Sequence, residues 1–165
     1  MKWLLDTMTL SATRRPKRED PDVIRWLERQ NPFSLHLSAI TIFELELGIQ
    51  RKERSDPVQG IMLRRWQDDV MMIFHERILP VDAEVAGLAA GYHVPDPRPE
   101  RDALIAATAE VGDLTLVTRN ARDFEPFRVK MFNPWNTRLA KAPSVAGSVT
   151  KTPQPEQEQR RTQAR

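Results

Sequence analysis

The sequence predicts a mostly parallel α/β sheet covered by helices, and three observations predict it. Short apolar runs at residues 2–5, 35–39, 78–81, 114–118 and 129–132 alternate with longer segments of helical spacing. Strands separated by helices are joined by crossovers rather than hairpins, which is the pattern of a parallel sheet. A chain of 165 residues is long enough to bury a core yet too short for two ordinary domains.

The elements follow in order. The first run ends at Asp6, and residues 22–28 place Val23, Trp26 and Leu27 at helical spacing behind Pro21. Residues 35–39 read as a strand and 41–51 as a helix. Asp56-Pro57 is a capping acid followed by a first-turn proline, and Val58, Ile61, Met62, Trp66, Val70 and Ile73 form the helical stripe behind it. Residues 78–81 make a short connector or strand, after which Asp82 caps a helix bearing Val85, Leu88 and Ala89. Pro95, Pro97 and Pro99 stiffen a loop before the helix over 100–111. That helix stops at Gly112, the residue type that most often ends one.

Composition narrows the chemistry. With no cysteine, disulfides, thiolate zinc sites and cysteine nucleophiles are excluded. No run approaches the ~20 apolar residues of a membrane helix. The opening residues meet Asp6 too soon for a secretory leader, so a soluble cytoplasmic protein without membrane contact is expected. Of 25 basic and 23 acidic residues, six and two fall in 137–165, leaving 19 and 21 in 1–136. The net charge of +2 therefore belongs to the tail. Residues 137–165 have almost no large apolar side chain after Leu139 and are rich in Pro, Gln, Thr and Ser. They are expected to form a disordered basic tail behind a domain spanning 1–136.

Functional groups of an open parallel sheet gather at the carboxyl ends of its strands. Asp6 follows the first strand, Glu44 and Asp102 lie in first turns of helices, and Asp123 lies in the loop after residues 114–118. Each alone has an ordinary reading as a capping, helix-end, solvent-facing or turn acid; Glu46 is read as solvent-facing. Surroundings favour a site: Gly48 leaves the surface beside Glu44 bare, and Ala103, Ala106 and Ala107 leave little bulk beside Asp102. Two carboxylates about 5 Å apart repel by roughly 3 kcal/mol at an effective dielectric near 20. A cluster of them calls for a hard divalent cation or raised pKa values.

The residues also carry a family likeness. Leu4-Leu5-Asp6-Thr7, residues 37–45 with Gly48-Ile49, residues 78–82, residues 101–109, residues 114–124 and Asn133-Pro134-Trp135 occur in this order across 1–136. Together they resemble PIN-domain ribonucleases of the VapC type, the toxins of type II toxin–antitoxin systems, and especially their FitB-like branch. The resemblance implies a PIN-like three-layer α/β/α sandwich with Asp6, Glu44, Asp102 and Asp123 around Mg²⁺ or Mn²⁺. Thr118 would orient the acids or a water, with Thr7 and Asn120 as weaker supporting residues. Relatives usually have a small polar residue where Met8 stands and an aliphatic one at Thr9. Met8 is open to a second role, as a gap-filler in the core.

The implied activity is metal-dependent endonucleolytic cleavage of RNA by metal-activated water. Asp6 and Asp102 would bind metal directly, Glu44 would bind it or accept a proton, and Asp123 would complete the site through water. The alternative is a catalytically impaired PIN fold acting as a protein- or RNA-binding module. A dehalogenase-like phosphotransferase would need a second acid at position 8, which is Met8, and a receiver-like domain would need paired early acids. Implied partners are a cognate antitoxin, RNA, a second copy of the chain, and promoter DNA only through the antitoxin. Arg14, Arg15, Lys17 and Arg18 follow the first strand as either RNA contacts or a solvated face. His36, His75 and His93 lack partners at ligand spacing, and Trp3, Trp26 and Trp66 fall on apolar faces.

Overall fold

Five short strands form the spine of the protein, which a computed structural model describes over residues 1–135. They are β1 (Trp3–Leu5), β2 (Leu35–Ser38), β3 (Ile78–Leu79), β4 (Thr115–Val117) and β5 (Met131–Phe132). Helices separate them in sequence. These are α1 (Thr7–Ala12) and α2 (Pro21–Arg29), α3 (Ala39–Ser55) and α4 (Pro57–Phe74), α5 (Ala83–Gly91) and α6 (Glu100–Val111), and the single-turn α7 (Ala121–Phe124). The strand order is β3-β2-β1-β4-β5 and every pair is parallel. The chain winds outward from β1 to β3 and then crosses back to β4 on the other side of β1. Connections therefore leave β1 and β4 in opposite directions, which opens a crevice at their carboxyl ends. The basic tail expected over 137–165, like the domain end at 136, lies outside the described residues.

Strand periodicity sorts the core into two layers. Leu4 and Leu116 face α5 and α6, packing with Val85, Ile105, Phe124 and Phe127. Leu5, Leu37 and Val117 face the other way, onto Leu10, Leu45, Val70 and Phe74. Burying one such leucine or phenylalanine is worth about 1.5–3 kcal/mol, so strands of two to four residues are held mainly by the helices covering them. Ala103, Ala106 and Ala107 are fully buried and let α6 approach the sheet closely. Trp3, Trp26 and Phe132 pack ring against ring at centroid distances of 5.2–5.5 Å, so Trp3 and Trp26 are core residues. No helix among the described residues is long and apolar enough to cross a membrane.

Two local readings of the sequence, Met8 as a core gap-filler and Glu46 as a solvent-facing acid, need revision. Residues 7–12, to which the sequence assigned no element, form α1. The Asp6 side chain caps this helix, and Thr9, Leu10 and Ala12 bury its inner face. Met8 is 50 % exposed and fills no gap in the core. Gly112 ends α6, yet its backbone stays right-handed while Asp113 takes the left-handed turn at φ 47°. Leu114 N–H then donates to Ala109 C=O at 2.8 Å and Asp113 N–H to Glu110 C=O at 3.1 Å, closing the helix end. Gly112 is needed for space, since a Cβ there would lie 3.0 Å from Leu114 Cδ1.

Glu46 is also more than a solvent-facing acid. Arg64 of α4 donates to Glu46 and Glu53 of α3, and Gln67 Nε2 donates to Glu46 at 3.0 Å. These donors hold the Glu46 carboxyl down to about 2 and pin α3 against α4. The two helices are joined by Asp56 alone, whose side chain accepts from Gln59 N–H at 3.1 Å and caps α4. They meet so closely that a Cβ on Gly60 would lie 2.6 Å from Glu53 Cα. Gly60→Ala should therefore destabilise the fold by about 1–3 kcal/mol. Gly48→Ala, with nothing within 4 Å of its Cβ position, should be neutral or stabilising by up to about 1 kcal/mol. Urea unfolding of both variants checks the contrast.

Candidate active site

The four acids singled out by the sequence sit on elements that end at or start from one edge of the sheet. Asp6 follows β1 immediately, its N–H donating to Val117 C=O of β4 at 3.1 Å. Its side chain is 6 % exposed, and Oδ1 accepts from Thr9 N–H at 2.6 Å. Burial pushes the Asp6 carboxyl above its ordinary value; hydrogen bonds from Thr118 and Thr9 oppose the rise, and the Glu44 charge adds to it. Thr9, which the sequence offered only as a departure from the family pattern, thus helps hold the first acid. Its hydroxyl also donates to Val117 C=O at 2.8 Å, tying α1 to β4.

Asp102 lies in the first turn of α6, whose Pro99 cap has no side-chain hydrogen bond. Burial raises its carboxyl, and the charges of Asp123, Glu44 and Asp6 raise it further, opposed by Arg101. Three other acids thus act on the Asp102 carboxyl. Glu44 accepts from the Thr7 hydroxyl, and its other oxygen lies 3.9 Å from Arg101 Nη1. Arg101 also stacks its guanidinium over Phe43, 5.1 Å from the ring centroid. In sequence, Arg101 was merely the neighbour of Asp102; only the fold brings it to Glu44.

Asp123 lies in α7 rather than in a loop, and accepts from the Asn120 side-chain amide. Asn120 N–H donates to Thr118 Oγ1 at 3.1 Å, and Thr118 is fully buried. Thr118 and Asn120 therefore connect Asp6 to Asp123 across the end of β4. Among the described residues no three Asp, Glu or His side chains are grouped at the spacing of a metal cage. Asp6, Glu44 and Asp123 instead each accept a hydrogen bond from an uncharged donor beside them: Thr9, Thr7 and Asn120 respectively. The donor set, four carboxylates and no thiolate or imidazole, fits a hard divalent cation in charge and chemistry. His36 is engaged elsewhere, with Nδ1 3.1 Å from Ser34 C=O and its pKa lowered by burial.

The raised acids carry a pH signature. Asp6 and Asp102 keep protons in the folded state at pH values where the unfolded chain, with its ordinary aspartate value of 3.8, has released them. Their contribution to stability is present at low pH and is lost as pH rises through the folded values. Asp102→Asn removes part of that loss. In the presence of chelator it should raise stability at pH 7 by about 0.5–2 kcal/mol, with a smaller gain near pH 4. Thermal melts at the two pH values test the sign.

Comparison with known proteins identifies the family. The family model described as PIN domain matches residues 3–128. The toxin FitB of Neisseria gonorrhoeae is 33 % identical over 142 residues, covering 81 % of this chain and 98 % of FitB. Ribonuclease VapC14 of Mycobacterium tuberculosis is 44 % identical over 75 residues, 45 % of this chain and 72 % of that protein. The crystal structure of FitAcB from N. gonorrhoeae superposes with a TM-score of 0.69 at 32 % identity, covering 81 % of this chain and 99 % of the matched one. FitAB bound to a DNA fragment superposes with a TM-score of 0.66 at 31 % identity, covering 81 % and 95 %. A parallel sheet of order β3-β2-β1-β4-β5 with carboxylates at its crevice, matched over nearly the whole described chain, makes this protein a member of the PIN-domain family, with FitB and VapC14 among its relatives.

Proposed function

We propose that the protein is a Mg²⁺- or Mn²⁺-dependent endoribonuclease, the toxin component of a type II toxin–antitoxin system in the cytoplasm. What supports this reading is the family match over residues 3–128 together with four acids at one end of the sheet, three of which raise the carboxyl of the fourth, Asp102. Such repulsion at one mouth of a sheet suits a site that takes up a divalent cation. Relatives named as a toxin and as a ribonuclease supply the substrate class.

Asp6 and Asp102 would hold the cation, with Glu44 and Asp123 beside them. When bound, such an ion lowers the pKa of water and neutralises phosphate oxygens. The chain's own residues do the rest. Asp6 is preorganised: the Thr9 N–H and the buried Thr118 hold it, so little reorientation is needed. Glu44 has two oxygens with different partners, a hydroxyl on one side and the Arg101 cation on the other. It accepts the proton released by the attacking water, and Arg101 balances the charge. Asp123 completes the set through water, steadied by Asn120. Thr7, Thr118 and Asn120 are positioning residues. Water attack places the phosphate on the 5′ end of one product and a hydroxyl on the 3′ end of the other.

The partners follow the relatives. A cognate antitoxin would cover the site, and promoter DNA would be reached through that antitoxin, as FitAB is bound to DNA. Exposed Val58, Ile61, Met62, Met72 and Ile73 on α4 favour a protein partner or a second copy of the chain.

The decisive experiment incubates purified protein with RNA and either metal and maps new 5′-phosphate ends. Wild type should cleave and Asp102→Asn should lose more than about 100-fold, while Thr7→Val should lose about 10-fold by loosening Glu44. Calorimetric metal titration gives a readout independent of cleavage: affinity should weaken as pH falls, because the carboxylates must release protons to bind. The wider spacing of the acids favours one rival, a metal-free binding module. No acid-dependent uptake of either ion would decide for it.

A further inference from the structure

The sequence groups Arg14 with Arg15, Lys17 and Arg18, but the fold separates them. Arg15, Lys17 and Arg18 line one concavity, around Pro16. Arg14 lines another, a cleft of about 360 Å³ between α1, α3 and α4, together with Thr7 and Glu44 of the acidic centre, Gly48, Lys52 and Trp66. The cleft is therefore continuous with the candidate active site. Its volume falls in the range of ligand-sized clefts, about 300–1,000 Å³.

Three features indicate what it receives. Glu44, Gly48 and Lys52 follow one another at four-residue spacing along one side of α3, so about 12 Å of helix separates the acid from the cation. Gly48, midway, has nothing within 4 Å of its Cβ position, which leaves the helix backbone open to close approach. Arg14 and Lys52 have neither an ion pair nor a side-chain hydrogen bond among the described residues, whereas Arg64 and Arg77 on α4 and the turn after it are fully engaged. Partial burial and the neighbouring Arg15 disfavour the Arg14 charge, while the charge of Glu19 favours it. Two cations that close no ion pair among the described residues, in a concave site whose lining includes Trp66 and Leu63, attract an anion. Guanidinium and ammonium groups together suit a phosphate diester, the first as a fork and the second as a point charge.

We propose that Arg14 and Lys52 form a phosphate subsite that holds the RNA strand beside its scissile bond, with the intervening sugar–phosphate passing over Gly48. The inference rests on the nuclease reading above and adds the direction in which the substrate leaves the acidic centre. Leu45, Ile49, Leu63 and Trp66 give the cleft apolar contact, and Thr7, Ser11 and Gln59 add hydrogen-bonding groups. The two cations themselves bind phosphate by charge and carry no information about base identity.

The test compares wild type with Arg14→Gln, Lys52→Gln and their double variant, with Lys17→Gln/Arg18→Gln as the control for general charge. Cleavage of a single-stranded RNA oligonucleotide in Mn²⁺ should show KM rising about tenfold or more in the double variant, with kcat within about threefold. Binding of the same oligonucleotide to each variant in an Asp102→Asn background, followed by fluorescence anisotropy against salt, should lose about 0.7 of log–log slope per cation removed. Gly48→Leu, which keeps both cations but fills the floor, should raise KM as well. A double variant with wild-type KM and slope overturns the proposal, as does an equal loss in the Lys17/Arg18 control. It would then leave the cleft to a protein partner. The two readings fail separately. Without cleavage by wild type in either metal, the nuclease reading falls while the slope still reports on the subsite; cleavage with an unchanged slope removes only the subsite.

Discussion

The crowding of carboxylates at the carboxyl ends of β1 and β4 is the constraint on which the rest of the site depends. Asp6 is nearly buried, and Asp102 is partly buried within reach of three other acids. Low dielectric and like charge both penalise ionisation there. The fold answers with donors: Thr9 N–H and Thr118 on Asp6, the Thr7 hydroxyl on Glu44, and the Asn120 amide on Asp123. These donors fix direction without cancelling charge. Among the described residues Arg101 brings a cation, in a half-exposed contact with Glu44 at 3.9 Å. The result is a mouth with net negative charge and little freedom to disperse it.

The scaffold explains why the acids stay there. β1 is the central strand, with Leu4 and Leu5 buried in opposite layers, so the residue following it cannot shift register without exposing both. Asp6 is further held by its backbone bond to Val117 and by its role as the cap of α1. Glu44 is positioned from the other side. α3 begins at the Ser38 cap, where Thr41 N–H donates at 3.0 Å, and is fastened to α4 by the Arg64 fork on Glu46 and Glu53. The helix that carries Glu44 is thus clamped at its start and along its length. Each acid stands on an element whose position is set by burial elsewhere.

Charge is distributed around this mouth rather than within it. Arg101 flanks Glu44, and Arg14 and Lys52 line the cleft leading away from it. An acidic centre bordered by cations is a workable arrangement for a polyanionic strand whose reacting phosphate must approach carboxylates. On the proposed function, the flanking cations would lower the electrostatic cost of bringing the strand near, and the centre would supply ligands for a divalent counter-ion. Neither half would serve alone: carboxylates repel phosphate, and cations without them have no means to hold the ion.

Much of this was legible in the chain. The helices, the Asp56-Pro57 and Asp82 caps and the five apolar runs are local patterns, and each appears in the structure within a few residues of its expected place; the apolar stripe of α4, however, buries Val70 but leaves Val58, Ile61, Met62 and Ile73 exposed. Asp6, Asp102 and Asp123 stand where strand ends and helix starts are written in neighbouring residues, whereas Glu44 lies in the second turn of α3, which begins at Ala39 rather than at Thr41. Other features depend on groups distant in sequence. α1 exists because Asp6 caps it and the core buries Leu10, and its intrinsic propensity gave no sign of it. Glu46 looked like any exposed acid until Arg64, eighteen residues on, reached it. Arg14 differs from Arg15 only by the cleft into which the fold turns it. Sequence by itself determined the order of elements, because periodicity and capping act over a few residues, and the family resemblance pointed to the four acids. Tertiary structure alone decided which donors hold the acids and which cations border them, because those pairings arise from packing between segments far apart along the chain.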